Sequence, residues 1–259
     1  MAILKVDNVT KRFGGLIALN KLSFEIAANS IHGLIGPNGS GKTTCFNIIT
    51  GFYKTDQGKI LFCENRLDKL KPFDINPAGI APTFQHISLF RDMTVLENVM
   101  VGRHCRTKAG LLGSVFKFAA VRKEERQIRE KAQEILDFIK GDKHHIDVDD
   151  LAKNLSYGDQ RLVEIARALA SEPKLMLLDE PAAGMNPAEK DQLENMIYIM
   201  RDQGITVLFV EHDMKLAMSI ADRITVLDHG AKIAEGTPPQ VQSDPLVMDA
   251  YLGKKRSDA

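Results

Sequence analysis

The sequence predicts an α/β fold, with a mostly parallel sheet, an N-terminal antiparallel β subdomain and an inserted helical lobe. Three observations carry that expectation. Short β-like runs crowd the first sixty or so residues, the stretch from about 92 to 170 has helical texture, and strands alternate with helices after it. The chain has 259 residues, 44% of them apolar, enough to bury a sizeable core. Lysine and arginine total 34 against 34 aspartates and glutamates, so charge gives no argument for a nucleic-acid partner. No apolar run approaches the ~20 residues that cross a bilayer. The opening "MAILKVDNVTKRF" lacks the apolar stretch of a secretory leader. Cys45, Cys63 and Cys105 form no C-x-x-C pair, which points to a reducing compartment.

The elements follow in order. "ILKVDNV", "KLSFEIA", "IHGLIG" and "KILFCENR" read as strands, punctuated by "NGSGK" and "DQG". In "AVRKEERQIREKAQEILDFIK", Val121, Ile128, Ala132, Ile135, Leu136 and Ile139 form one helical stripe opposite a charged face. "LAKNLSYGDQRLVEIARALA" opens a further helix, with Ser156 and Asp159 spaced as a capping box. Beyond it come the strand "KLMLLDE", a helix from Pro187, the strand "ITVLFVEH", a helix from about Asp213, and a hairpin around "DHG". The expected division is a core of 1–91 plus 171–259 and a helical subdomain of 92–170, all one domain.

The sharpest motif is "GLIGPNGSGKTT". Gly36, four residues, Gly41, Lys42 and Thr43 lie between an apolar strand and a helix, the P-loop pattern in its confirming context. Backbone N–H groups from Gly36, Asn38, Gly39, Ser40, Gly41, Lys42, Thr43 and Thr44 would face an anion, and side chains on the glycines would obstruct it. Pro37, lacking an N–H, contributes only shape. Lys42 would neutralise the β- and γ-phosphates and the Thr43 hydroxyl would ligate Mg²⁺. The core therefore reads as a P-loop NTPase. "KLMLLDEP" supplies acids at a strand end, Asp179 to hold the metal through a water and Glu180 to orient or deprotonate the attacking water.

"GPNGSGKTT", Gln85 in "PTFQH", "LSYGDQ", "LLDEP" and His212 in "VEHD" occur in the order found in ATP-binding subunits of ABC transporters, which the chain resembles over nearly its whole length. The resemblance implies that Phe13 stacks on adenine, that Gln85 senses Mg²⁺ and the water and links to the membrane subunit, and that His212 contacts the γ-phosphate. It further implies that Ser156 and Gly158 serve the ATP of a second ATPase subunit, identical or not. A helix N-terminus suits that task, since it carries about half a positive charge. The same resemblance implies two transmembrane permease subunits, a solute-binding protein acting indirectly, and a peripheral place on the cytoplasmic membrane face.

The chain departs from the commonest family pattern in two places. Tyr157 and Asp159 stand where Gly and Gln are usual, while Ser156 and Gly158 remain. Asn186 replaces a frequent aspartate and, with Pro187 and Glu189, reads as a helix cap. "KRFGGLIAL", "DEPAAGMNP", "EHDMKLAMSIADRITVLDHG" and "AYLG" resemble the branch that serves branched-chain amino acid importers. Urea-importer and lipopolysaccharide-export ATPases share much of this pattern, and a soluble, non-transport ABC ATPase is a further alternative. A P-loop kinase or GTPase is disfavoured by "LSYGDQ" and His212. The basic residues of 103–123 suit lipid headgroups, the membrane partner or a solvated loop with a small apolar anchor. "GDKHHIDVDD" reads as a solvated polar loop and Cys45 as a small core residue.

Overall fold

The computed structural model describes residues 1–103, 118–140 and 146–252. Strands β1 (Ala2–Phe13) and β2 (Leu16–Ala27) pair antiparallel across a two-glycine turn. With β4 (Gln57–Phe62) and β5 (Asn65–Arg66) they make a four-stranded antiparallel sheet, ordered β2-β1-β4-β5. Period-two alternation sends Leu4, Val6, Leu22, Phe24 and Ile26 inward.

The second sheet has six strands in the order β10-β9-β3-β8-β7-β6. They are β3 (Ile31–Ile35), β6 (Ile80–Thr83), β7 (Leu175–Asp179), β8 (Thr206–Glu211), β9 (Arg223–Asp228) and β10 (Ala231–Gly236). All neighbours are parallel except the β9–β10 hairpin. β3, β7 and β8 are buried along their whole length, as strands covered on both faces must be, hence their nearly unbroken apolar runs. The expected mostly parallel sheet is present.

Helix α1 (Lys42–Ile49) follows β3, and α2 (Pro72–Ala78) precedes β6. Pro72, Pro77 and Pro82 punctuate α2 and β6, which breaks the local periodicity of both. Pro82 is tolerated because β6 is an edge strand. Helices α3 (Val95–Gly102), α4 (Phe118–Lys140) and α5 (Tyr157–Leu169) form the helical lobe. Ile128, Ala132, Ile135, Leu136 and Ile139 of the expected stripe are buried or packed against its core; the side chain of Val121 lies outside those described. The core side ends with α6 (Pro187–Asp202), α7 (Met214–Ile220), α8 (Pro238–Gln242) and α9 (Pro245–Leu252).

Apolar side chains gather in three clusters. One lies between the two sheets and α1, one between the parallel sheet and the helices α5 to α9, and one within the lobe. Helix α5 joins the second to the third, burying Leu162 and Ile165 toward the sheet and Val163 and Ala166 toward α3 and α4. Rotating the lobe therefore means moving α5. Cys45 is buried, as expected of a core thiol, and its pKa is pushed up to about 12 by that burial. Cys105, Arg106, Lys108, Lys117 and the His144–His145 pair lie outside the described residues. No described helix is long and apolar enough to cross a membrane.

Candidate nucleotide site

Parallel pairing brings the functional segments to one edge. Ile35 of β3 is level with Glu211 of β8 and Val226 of β9, and Asp179 of β7 is level with Val210. The loops that leave the carboxyl ends of β3, β7 and β8 therefore emerge together, where open α/β sheets bind ligands. They carry the glycine-rich turn, Asp179–Glu180 and His212.

Helix α1 begins at Gly41, whose φ of +104° belongs to the left-handed region, with no side chain capping its first turn. A Cβ at Gly41 would sit 2.7 Å from the Ala18 carbonyl oxygen, so the turn tolerates no larger residue. The result is a helix N-terminus with its amides open toward a cleft of about 490 Å³. Asn38, Gly39, Ser40, Gly41, Lys42, Thr43, Thr44, Phe13 and Glu180 are among its lining. The buried Ser40 hydroxyl has no hydrogen-bond partner, a polar atom whose partner the chain does not itself supply. Lys42 turns its ammonium onto the Gly36 (2.7 Å) and Pro37 (3.0 Å) carbonyls. Burial lowers its pKa, opposed by the charges of Glu180, Asp179 and Glu211. These features fit the phosphates of a nucleotide.

The acids occupy different environments. Asp179 is buried, and its pKa is pushed up to about 6 by that burial and by the Glu180 charge, against Arg161 and Lys42. Glu180 has φ +45°, a left-handed conformation unusual for a residue with a Cβ, at the site itself. Gln85 Nε2 donates to one Glu180 oxygen at 3.1 Å, and His212 Nδ1 lies 3.4 Å from the other. Residues separated by 95 and 32 positions thus meet on one carboxylate. Thr43, Gln85 and Asp179 offer hard oxygen donors of the kind Mg²⁺ takes. Among the described residues no three His, Cys, Asp or Glu side chains form a metal cage, so a cation here would depend on phosphate and water oxygens as well.

Phe13 stands at the cleft, half exposed, edge-on to Tyr53 at 5.2 Å with Lys11 over its ring. Ser156 and Gly158 are not among the lining residues of this cleft. Ser156 caps α5 by accepting the Asp159 N–H at 3.1 Å. The expected capping box is only half formed, because the Asp159 carboxylate accepts the Ser156 hydroxyl (2.8 Å) rather than the Ser156 backbone N–H. A Cβ on Gly158 would lie 2.4 Å from the Glu189 carboxyl carbon, so a larger residue there would have to displace the Glu189 side chain. The Asn186 cap forms in full, with Glu189 N–H donating to its side chain (3.0 Å) and the Glu189 carboxylate accepting the Asn186 N–H (2.9 Å).

Sequence reasoning missed several residues here. Glu211, buried at the end of β8, accepts the Ala182 N–H at 3.3 Å and ties the His212 loop to the loop after Glu180; burial raises its pKa. An acid ending an otherwise apolar strand was the available signal. His229 and Gly230, read only as a hairpin turn, line the cleft, and the Gly230 N–H donates to the Ser40 carbonyl. The Tyr251 hydroxyl of α9 is buried beside the Gly36 backbone N–H without closing a hydrogen bond, and its pKa is pushed up to about 12 by burial. Arg161 and Glu164 carried no motif signal, because inside a helical run they resemble ordinary surface charges.

Comparison with known proteins adds the family context. Residues 19–183 match the ABC transporter family, and residues 231–256 match the branched-chain amino acid ATP-binding cassette transporter family. The high-affinity branched-chain amino acid transport ATP-binding protein LivG of Salmonella typhimurium is 44% identical over 97% of this chain and 98% of its own. A solved ATP-binding cassette of an ABC transporter in its ADP conformation superposes with a TM-score of 0.83 at 37% identity, covering 98% of this chain and 100% of that one. A dimeric ATP-binding cassette in a post-hydrolysis state with ADP and Pi gives a TM-score of 0.74 at 26% identity, covering 91% and 98%.

Proposed function

The chain belongs to the ABC transporter family of ATP-binding subunits, and on that premise we propose that it is the ATP-hydrolysing subunit of an importer for branched-chain amino acids. The observation that carries the catalytic reading is the convergence of Gln85 and His212 on the two oxygens of Glu180 at the mouth of the phosphate cleft. Two distant loops hold one carboxylate, the arrangement a general base or water-orienting group requires.

In this reading the open amides of α1 and the glycine-rich turn bind the phosphates, and Lys42 swings from the Gly36 and Pro37 carbonyls to their charge. Phe13 offers its ring to the adenine. Thr43, Gln85 and Asp179 would hold Mg²⁺, Asp179 through a water; since the Gln85 nitrogen is engaged by Glu180, its carbonyl oxygen would be left for the cation. When bound, Mg²⁺ supplies charge neutralisation at the phosphates. Glu180 orients the attacking water and takes its proton, while His212 contacts the γ-phosphate. Ser156 and Gly158, outside their own cleft, serve the ATP of a second ATPase subunit, whose closure on nucleotide is a ligand-biased two-state change.

The partners follow from that arrangement. Beside Gln85 lies a groove of about 560 Å³ lined by Phe52, Phe73 and Phe84, with Phe73 71% exposed. Such an apolar patch wants cover, and it is where we place a permease subunit, two per transporter. The chain would sit peripherally on the cytoplasmic membrane face, with a solute-binding protein delivering cargo and no role for nucleic acid.

Reconstitution with the co-purified permease tests the proposal. Leucine, isoleucine or valine uptake into vesicles should require ATP and stop with Glu180→Gln. Recovery of the chain without membrane subunits, or uptake of urea or export of lipopolysaccharide instead, overturns the importer assignment.

A further inference from the structure

We infer that Arg161 and Glu164 form a positioning pair that sets the place of Gln85 and couples it to the Ser156 turn. The inference rests on the role proposed above for Gln85. Both side chains are buried, 0% and 2% exposed, on α5, whose first residue follows Ser156. Arg161 Nη1 donates to Glu164 Oε2 (2.8 Å) and to the Phe84 carbonyl (2.7 Å). Its Nη2 donates to the Gln85 carbonyl (2.6 Å) and, more weakly, to the Tyr157 hydroxyl (3.4 Å). The other Glu164 oxygen accepts the Ser88 N–H (3.0 Å), and Arg167 donates to the Ser88 carbonyl.

Residues 84–88 are therefore held by three side chains of a single helix. A buried ion pair is a poor device for stability, because apolar residues of similar volume do as well without the desolvation cost. Here the Arg161 Nε also lacks a partner, which adds to that cost. The planar fork does what an apolar residue cannot, gripping two successive carbonyls and so fixing the peptide that bears the Gln85 side chain. That side chain ends on Glu180. A shift of α5 at the Ser156 end is thereby carried to the catalytic carboxylate through hydrogen bonds, without passing through the P-loop. Tyr157, the departure from the commonest pattern, touches the same guanidinium.

The test is a double-mutant cycle on the full-length chain, with amide hydrogen exchange as a second readout. Arg161→Lys keeps the charge and loses the fork, so kcat should fall roughly 10- to 100-fold while KM for ATP stays within about twofold. Exchange at 84–88 should rise about tenfold or more, with α5 and β6 unchanged. In a Gln85→Ala background the same change should lower kcat by less than about twofold, since the pair acts through Gln85. Glu164→Gln, nearly isosteric, should loosen Ser88 in the same direction and serves if Arg161→Lys folds poorly. Equal losses in both backgrounds, or unchanged exchange at 84–88 in both variants, overturn the inference. A Gln85→Ala chain with normal kcat, beside raised exchange in Arg161→Lys, sinks the role of Gln85 and leaves the hold on its segment supported.

Discussion

The phosphate loop and the Ser156 turn both end in a helix N-terminus, and they differ in what caps it. Helix α1 starts at a glycine and carries no side-chain cap. Helix α5 starts at a serine that accepts the Asp159 N–H and donates to the Asp159 carboxylate. The first is preorganised for an anion, with the cost held in left-handed glycine. The second is satisfied internally and bears a negative charge in its first turn, so in the role proposed for it the turn must exchange partners before it meets phosphate. In the proposed role, a turn that waits for a second chain is better kept satisfied until that chain arrives.

The largest test breaks the first region. Glu180→Gln keeps the shape of the carboxylate but not its basicity, so steady-state hydrolysis should fall by about 100-fold or more with ATP binding retained; filter binding beside phosphate release checks it. Next comes the division of labour between the regions. Lys42→Ala and Ser156→Arg should each abolish hydrolysis, and in a chain that pairs with itself their mixture should exceed either alone. A mixture no better than its parts would place Ser156 at its own P-loop or make the partner a different chain.

Acid bears on the scaffold beneath the phosphate loop. His32 of β3 is buried against Phe24 and hydrogen-bonded with Thr225 at 2.9 Å, and burial lowers its pKa to about 4 from 6.5. Between those values the unfolded chain binds more protons than the folded one. Stability from this group is whole above about pH 6.5 and falls as pH drops toward 4, by about 3 kcal/mol. Urea midpoints should show that loss in the native chain relative to His32→Gln. The smallest effect sharpens the contrast between the caps. Asp159→Asn should cost about 0.5 kcal/mol of stability and tighten nucleotide-dependent pairing a few-fold, since it removes the charge that competes with phosphate. Urea midpoints and ATP-dependent dimerisation measure the two halves, and no change in pairing would show that Asp159 does not compete.

Much of this was legible in the chain because it depends on local chemistry. Gly36 to Thr44, the apolar strand before Asp179, the Asn186 cap and the hairpin after β9 declare themselves by spacing. Helix α2 and strand β6 did not, since their prolines read as loop until the sheet placed β6 at an edge. Glu164 and Arg161 were equally silent, because a charge in a helical run says nothing of what lies above it until α5 is packed under residues 84–88.

The sequence by itself determined the phosphate turn, the strand-end acids and the order of motifs, all of which arise from residues within a few positions of one another. Only the tertiary structure decided that Gln85 and His212 share Glu180, that Ser156 stands outside its own cleft, and that a buried arginine holds Gln85 in place. The physical reason is the parallel register of β3, β7 and β8, which aligns loops far apart in the chain at one sheet edge. No local pattern encodes that alignment.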